Sequence, residues 1–143
     1  MSRDRYLQTK NYFLGLALTH QMDSLLANLE RVSVLADACL DEIDELKNTV
    51  YFPDSCVLAI SPNSTVRNSA TFVEVGCEGV VMASTVYKTV AMTSGDIFKL
   101  NQDIFNESLE QCSPFLDEFL KFNQSLAEQL IQFVIEAHFR NAS

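Results

Sequence analysis

Apolar or small residues recur at alternating steps of four and three from Leu18 through Met22, Leu25, Leu29, Val32, Ala36, Cys39, Ile43 and Leu46 to Val50. Such spacing lays one stripe along a helix, and no proline interrupts the chain before Pro53. Asp37, Asp41, Asp44 and Glu45 fall off the stripe, while Leu26, Leu35 and Leu40 widen it beyond a strict two-stranded seam. The pattern predicts a long helix over 1–49. A second series predicts another over 94–141: Phe98, Gln102, Phe105, Leu109, Cys112, Leu116, Phe119, Asn123, Leu126, Leu130, Phe133 and Ala137. Thr93 with Asp96 has the form of a capping box opening that helix, and Ser113–Pro114 that of an N-cap and first-turn proline, so a kink or break is expected near 113–114.

Between these stretches, over 50–93, charge is sparse and β-branched residues and turn formers take over. CVLAI, TFVEV, GVVMA and TVYKTVA are strand candidates, SPNST is a polar turn, and GCEG joins two strands as a hairpin. Gly76 and Gly79 bracket the two tip residues, where a tight reversal calls for positive φ. The expected fold is therefore α+β and a single domain over 1–143: two long antiparallel, coiled-coil-like helices flanking a small antiparallel sheet of two hairpins. The alternative is a mainly α-helical bundle with one β-hairpin. In the first arrangement the free helix ends carry Tyr12, Phe13, Leu14 and Leu16 on one side and Phe133, Val134, Ile135 and Phe139 on the other. These ends either close a compact bundle or bind apolar partners.

The stretch FVEVGCEGVVMAST, within the order helix, two hairpins, helix, resembles the α-type subunits of prefoldin, a hexameric holdase for unfolded proteins. Glu74, Val75, Gly76, Gly79 and Thr85 match that family's third and fourth strands, and AISPNSTVRNSA is similar to the strand and proline turn before them. Glu78 is one residue too many for the turn, Val86 to Met92 adds apolar sequence, and Pro114 interrupts a helix that the family keeps continuous. The resemblance implies a chaperone that holds non-native proteins between its helical tips. It also implies oligomer assembly through the sheet, at Phe72, Val73, Val75, Gly76, Gly79 and Val80.

Composition narrows the function classes. An apolar content of 48% supports a buried core, and a net charge of -9 leaves no basic patch for nucleic acid or an anionic membrane. Four cysteines, Cys39, Cys56, Cys77 and Cys112, lie far apart with no CxxC pair, so they read as free thiols and not as a metal knuckle. The start of the chain has no apolar leader core and no run reaches the roughly 18 residues of a membrane span, which points to a cytoplasmic protein. His20 is expected to face solvent, and Glu136 and His138 to lie on different helix faces. The acidic run Asp41 to Glu45 reads as a solvated face, and no phosphate-cradling glycine motif occurs. No catalytic residue, metal or cofactor is indicated. The reading is a non-enzymatic protein-binding subunit of a homo- or hetero-oligomer, prefoldin-like in function. An adaptor subunit of a larger coiled-coil complex is one alternative. A small-molecule-binding bundle or enzyme with a pocket lined by the phenylalanines of the second helix is the other.

Overall fold

The computed structural model describes residues 7–40, 48–62, 72–84 and 87–142, with side chains in the last helix described as far as Gln132. It corrects the expected fold class. Seven strands form two antiparallel sheets, and the helices are short apart from the last. In chain order they are α1 (Tyr12–Thr19), α2 (Asp23–Ala27), β1 (Glu30–Val34), β2 (Thr49–Pro53), β3 (Leu58–Pro62), β4 (Val73–Val75), β5 (Val81–Met82), β6 (Tyr87–Ala91), β7 (Gly95–Asn101), α3 (Gln102–Gln111) and α4 (Ser113–Ala142). One sheet has the order β1-β7-β2-β5 and the other β4-β3-β6, giving a two-layered β-roll.

The stripe read as a helix over 1–49 is broken at defined points. Gln21, with φ of 54°, turns the chain after α1, and Asp37, with φ of 73°, turns it after β1. Between them Val32 and Val34 alternate with exposed Arg31, Ser33 and Leu35, the period of a strand. In a chain this rich in apolar residues, steps of three and four run on through unrelated short elements. Ile43 and Leu46 of that stripe, the acidic run Asp41 to Glu45 and most of the SPNST turn lie outside the described residues.

β2 and β7 explain the rest of the discrepancy. Val50 and Phe52 of β2, with Phe98 and Leu100 of β7, face a helical layer built from Phe13, Leu14, Phe105, Phe115 and Phe119. Tyr51 and Ile97 face the other way, into the layer between the sheets, beside Leu58, Ile60, Val73, Val75 and Val81. A sheet covered on both faces loses its polar alternation, so its strands do not announce themselves. The residues read as a helix cap, Thr93 and Asp96, belong to the β6–β7 turn and to β7, which pairs with both β1 and β2.

The turn at 76–79 is also not a hairpin tip. β4 belongs to the three-stranded sheet and β5 to the four-stranded one, so Gly76 to Gly79 carries the chain from one layer to the other, closed by a Gly79 N–H bond to the Gly76 carbonyl of 3.1 Å. Neither glycine has positive φ. Gly79 is required by space: a Cβ there would lie 2.3 Å from Phe122 Cζ and 2.6 Å from Val75 Cγ1. Gly79→Ala is therefore expected to destabilise the fold by about 1–3 kcal/mol through overpacking. Adding Phe122→Leu should recover part of that loss in a urea-denaturation double-mutant cycle.

Asn11 fastens the helical layer to this turn. Its side chain is 2% exposed, donates to the Pro53 carbonyl at 2.8 Å and to the Gly79 carbonyl at 2.9 Å, and caps α1 by accepting from Phe13 and Leu14 N–H. Asn11→Ala is expected to cost about 2–4 kcal/mol, because two buried carbonyls and two helix N–H groups lose their partner together. Asn11→Asp should be no better, since it keeps the cap but turns an acceptor toward the two carbonyls. Both are read from chemical-denaturation midpoints.

Candidate functional site

The elements converge where α4 lies across the roll. Phe115, Phe119, Phe122 and Leu126 follow one another at steps of four, three and four and form the inward face of α4. The ring of Phe13 meets those of Phe115 and Phe122 edge-on at 5.7 Å in each case, and Phe105 meets Phe119 at 5.0 Å. Phe122 belongs to the margins of both apolar layers and covers Gly79. One helix thus packs on a turn that carries the chain between the two sheets. Above it, desolvation and then the charge and hydrogen bond of Glu118 push the Tyr12 phenol up from its ordinary pKa, tying the start of α1 to the first turns of α4.

A polar clip holds the segment before α1 on the edge of the roll. Arg31 donates to Asp96 at 3.0 Å and to the Gln8 carbonyl at 2.8 Å, and its guanidinium stacks 4.6 Å from the centroid of Phe98. Asp54 accepts from the Thr9 hydroxyl at 3.0 Å and from Lys10 N–H at 2.6 Å. Ser33 donates to Asp96 at 2.7 Å; that hydroxyl first, and Arg31 second, hold the Asp96 carboxyl below its ordinary range.

A cleft of about 480 Å³ opens at the other end of the helical layer, between the α1–α2 corner and the α3–α4 break. His20 to Leu25 form one wall and Ser108 with Gln111 to Pro114 the other. The break itself falls at Cys112, whose backbone is extended, with φ of -139° and ψ of 99°.

The residues expected to bind a partner are dispersed. Phe13 and Leu14 are fully enclosed in the helical layer, Leu16 is half-buried against it, and Tyr12 alone of that group is exposed. The side chains of Phe133, Val134, Ile135 and Phe139 lie outside the description, as does that of His138. Of the residues expected to assemble the sheet, Val73 and Val75 are buried between the layers, Val80 is buried under the helices, and Phe72 is half-buried just before β4. Gly76 and Gly79 make the inter-sheet turn. Asn11 was not singled out in the sequence, and Phe122 only as one of the phenylalanines of the second helix. An N-cap signal, Asn11 before the apolar run YFLGLAL, was present but hidden by the expectation of a helix already under way.

No protein-family model matches the sequence, and no curated protein sequence matches it. Solved structures do match in fold. The heme domain of CooA from Carboxydothermus hydrogenoformans superposes with a TM-score of 0.73 at 12% identity, over 94% of this chain and 98% of that chain. A Geobacter metallireducens protein described as cyclic nucleotide-binding gives 0.58 at 10% identity, over 92% and 98%. The catabolite activator protein of Thermus thermophilus gives 0.57 at 14%, covering 85% of this chain and 59% of that one. The chain therefore shares the β-roll fold of these proteins, and the prefoldin resemblance and the coiled-coil chaperone reading are overturned. No helix among the described residues is long and apolar enough to cross a membrane.

The described interior does not fit either group named in those proteins. Between the sheets it presents aliphatic side chains, Tyr51 and the Cys56 thiol, which burial pushes up in pKa and which donates to the Thr93 carbonyl at 3.0 Å. Arg31, the one arginine whose side chain is described, is committed to the edge clip. These residues offer neither an imidazole ligand for a heme iron nor a guanidinium for a cyclic phosphate.

The clip yields a pH dependence. A carboxyl whose folded pKa is depressed stabilises the fold above the ordinary carboxylate value of about 3.9, and that contribution is lost as pH falls through the lowered value. Asp96→Asn is expected to lower the denaturation midpoint at neutral pH. The gap to the parent protein should close as pH drops below about 4.

Proposed function

We propose that the chain is a non-enzymatic sensor module in which a small molecule, taken up against the β-roll, changes how α4 lies across it. The observation that carries this reading is the seating of Phe122 on Gly79. A long helix is packed on one of the turns that carry the chain between the two sheets, so a shift between the sheets at that turn is a shift in the seat of the helix. The fold shared with a heme domain, a cyclic nucleotide-binding protein and an activator protein supports the same reading. The aliphatic interior favours an uncharged ligand over a heme or a cyclic nucleotide.

The outer face of α4 supports a protein partner, read here as a second copy of the chain. Leu116, Leu120, Asn123 and Ala127 repeat at steps of four, three and four beside the inward face of α4; Leu116 is half-buried, Asn123 and Ala127 are exposed, and Leu120 is 53% exposed. That is a heptad seam with one polar position, the pattern that pairs helices in register. The expectation of oligomerisation is kept in this form. The exclusion of nucleic acid, drawn from net charge alone, is not kept, because the activator protein extends well beyond the part matched here.

The test pairs a stability readout with a distance readout. Melting temperature is measured against a panel containing cyclic AMP, cyclic GMP, hemin and neutral apolar compounds, with spin labels on α4 and on β3 reporting their separation. A neutral compound is expected to raise the melting temperature by several degrees and to change the α4–β3 distance. Stabilisation with the distance unchanged would defeat the lever.

A further inference from the structure

The cleft at the α1–α2 corner plays no part in the sensor reading, and its chemistry differs from the cores beside it. Its apolar surface comes from exposed Pro114, half-buried Cys112 and the edge of Met22, which is 9% exposed, while Leu25 is fully buried. The Ser108 hydroxyl is turned back onto the Ile104 carbonyl at 2.8 Å and is not offered to the cleft. The rim is polar. Asp23 is the carboxylate that lines it, amides come from Gln21 and Gln111, and neither lysine nor arginine is among the lining residues. His20 lines the same corner and is exposed.

The corner is held in place from within. Gln21 sits in the left-handed region with φ of 54°, a conformation that costs a non-glycine residue about 1 kcal/mol or more, and its carbonyl accepts from Asp23 N–H at 2.9 Å. Met22 N–H in turn bonds the Ala17 carbonyl at 2.9 Å. The backbone that carries Asp23 is thus fixed before any ligand arrives, which lowers the ordering cost of binding.

A negatively charged ligand entering here would meet Asp23 without a lysine or arginine to receive it, in a chain of net charge -9. A positively charged one is attracted by both the local carboxylate and the overall field. The volume of about 480 Å³ lies within the range of small-molecule sites. The geometry points to a binding site for a small organic amine, its ammonium group on Asp23 and the rim amides, its alkyl or aryl body on Pro114 and the edge of Met22. This inference stands whether or not α4 acts as a lever.

The experiment is a charge series of matched shape: phenethylamine, phenethyl alcohol and phenylacetate, titrated into the full chain at physiological salt. Calorimetry gives affinity, and amide chemical shifts give location. The amine is expected to shift the amides of Asp23, Ser24, Gln111 and Cys112, to bind about tenfold or more tightly than the alcohol, and to lose that advantage in Asp23→Asn. Phenylacetate should leave those amides unmoved. Asp23 is solvent-exposed, so the variant is expected to fold, which its helical circular dichroism checks. Millimolar amine that shifts none of these amides, equal binding of amine and alcohol, or full amine affinity in Asp23→Asn would each overturn the proposal. None of these results bears on the α4–β3 distance.

Discussion

The architecture depends on one side chain having four hydrogen-bonding capacities in one place. Asn11 supplies two N–H donors and one carbonyl with two lone pairs, and all are used: Pro53 and Gly79 carbonyls on one side, Phe13 and Leu14 N–H groups on the other. Those partners belong to the end of β2, the inter-sheet turn and the start of α1. A hydroxyl cannot supply two donors and a carboxylate supplies none, so the site calls for a side-chain amide, and the cap onto Phe13 and Leu14 N–H fits the shorter one, asparagine. Tyr12 N–H reinforces it with a 2.7 Å bond to the Cys77 carbonyl of the same turn. The helical layer is pinned to the roll at this point, and the phenylalanine rings of α4 pack on what the pin positions.

The legibility of the sequence followed burial geometry. β3, β4, β5 and β6 fall on runs that read as strands, because β4 keeps the buried-exposed-buried alternation and the others carry β-branched residues between turn formers. β2 and β7 did not, because the four-stranded sheet is covered by helices on one face and by its partner sheet on the other. TVYFP and GDIFKLN therefore present apolar residues at spacings that also satisfy a helix. The glycines of the turn were legible as a constraint but not as its cause. A glycine required by φ and one required by a ring 2.3 Å away look the same in sequence, and the ring of Phe122 comes from a segment that sequence cannot place.

The candidate sites were less legible than the fold for a related reason. The α1–α2 cleft draws on residues near 20 and near 112, and no local motif signals that a helical corner and a helix break will meet. His20 was read as solvent-facing, which holds for its exposure but misses the concave surface it borders. Cys112 was read as a position on the apolar stripe, with a kink or break expected just after it near 113–114. In the fold it is the residue whose extended backbone separates α3 from α4 and lets α4 start in a new direction.

α4 shows why a periodicity argument can be right about a helix and silent about its role. Its inward series, Phe115, Phe119, Phe122 and Leu126, and its outward series, Leu116, Leu120, Asn123 and Ala127, have the same three-four spacing and differ by one position. The inward series carries the larger side chains and meets a surface from which the Gly79 Cβ has been deleted, so it packs closely. The outward series carries smaller side chains, and Leu120, Asn123 and Ala127 in it face water. A helix bound by aromatic rings on one face and free on the other can rotate or slide only by exchanging ring contacts, and close-packed contacts change in steps rather than continuously. The ring of Phe122, lying at the margin of both apolar layers, is a contact that such a step would change on both at once.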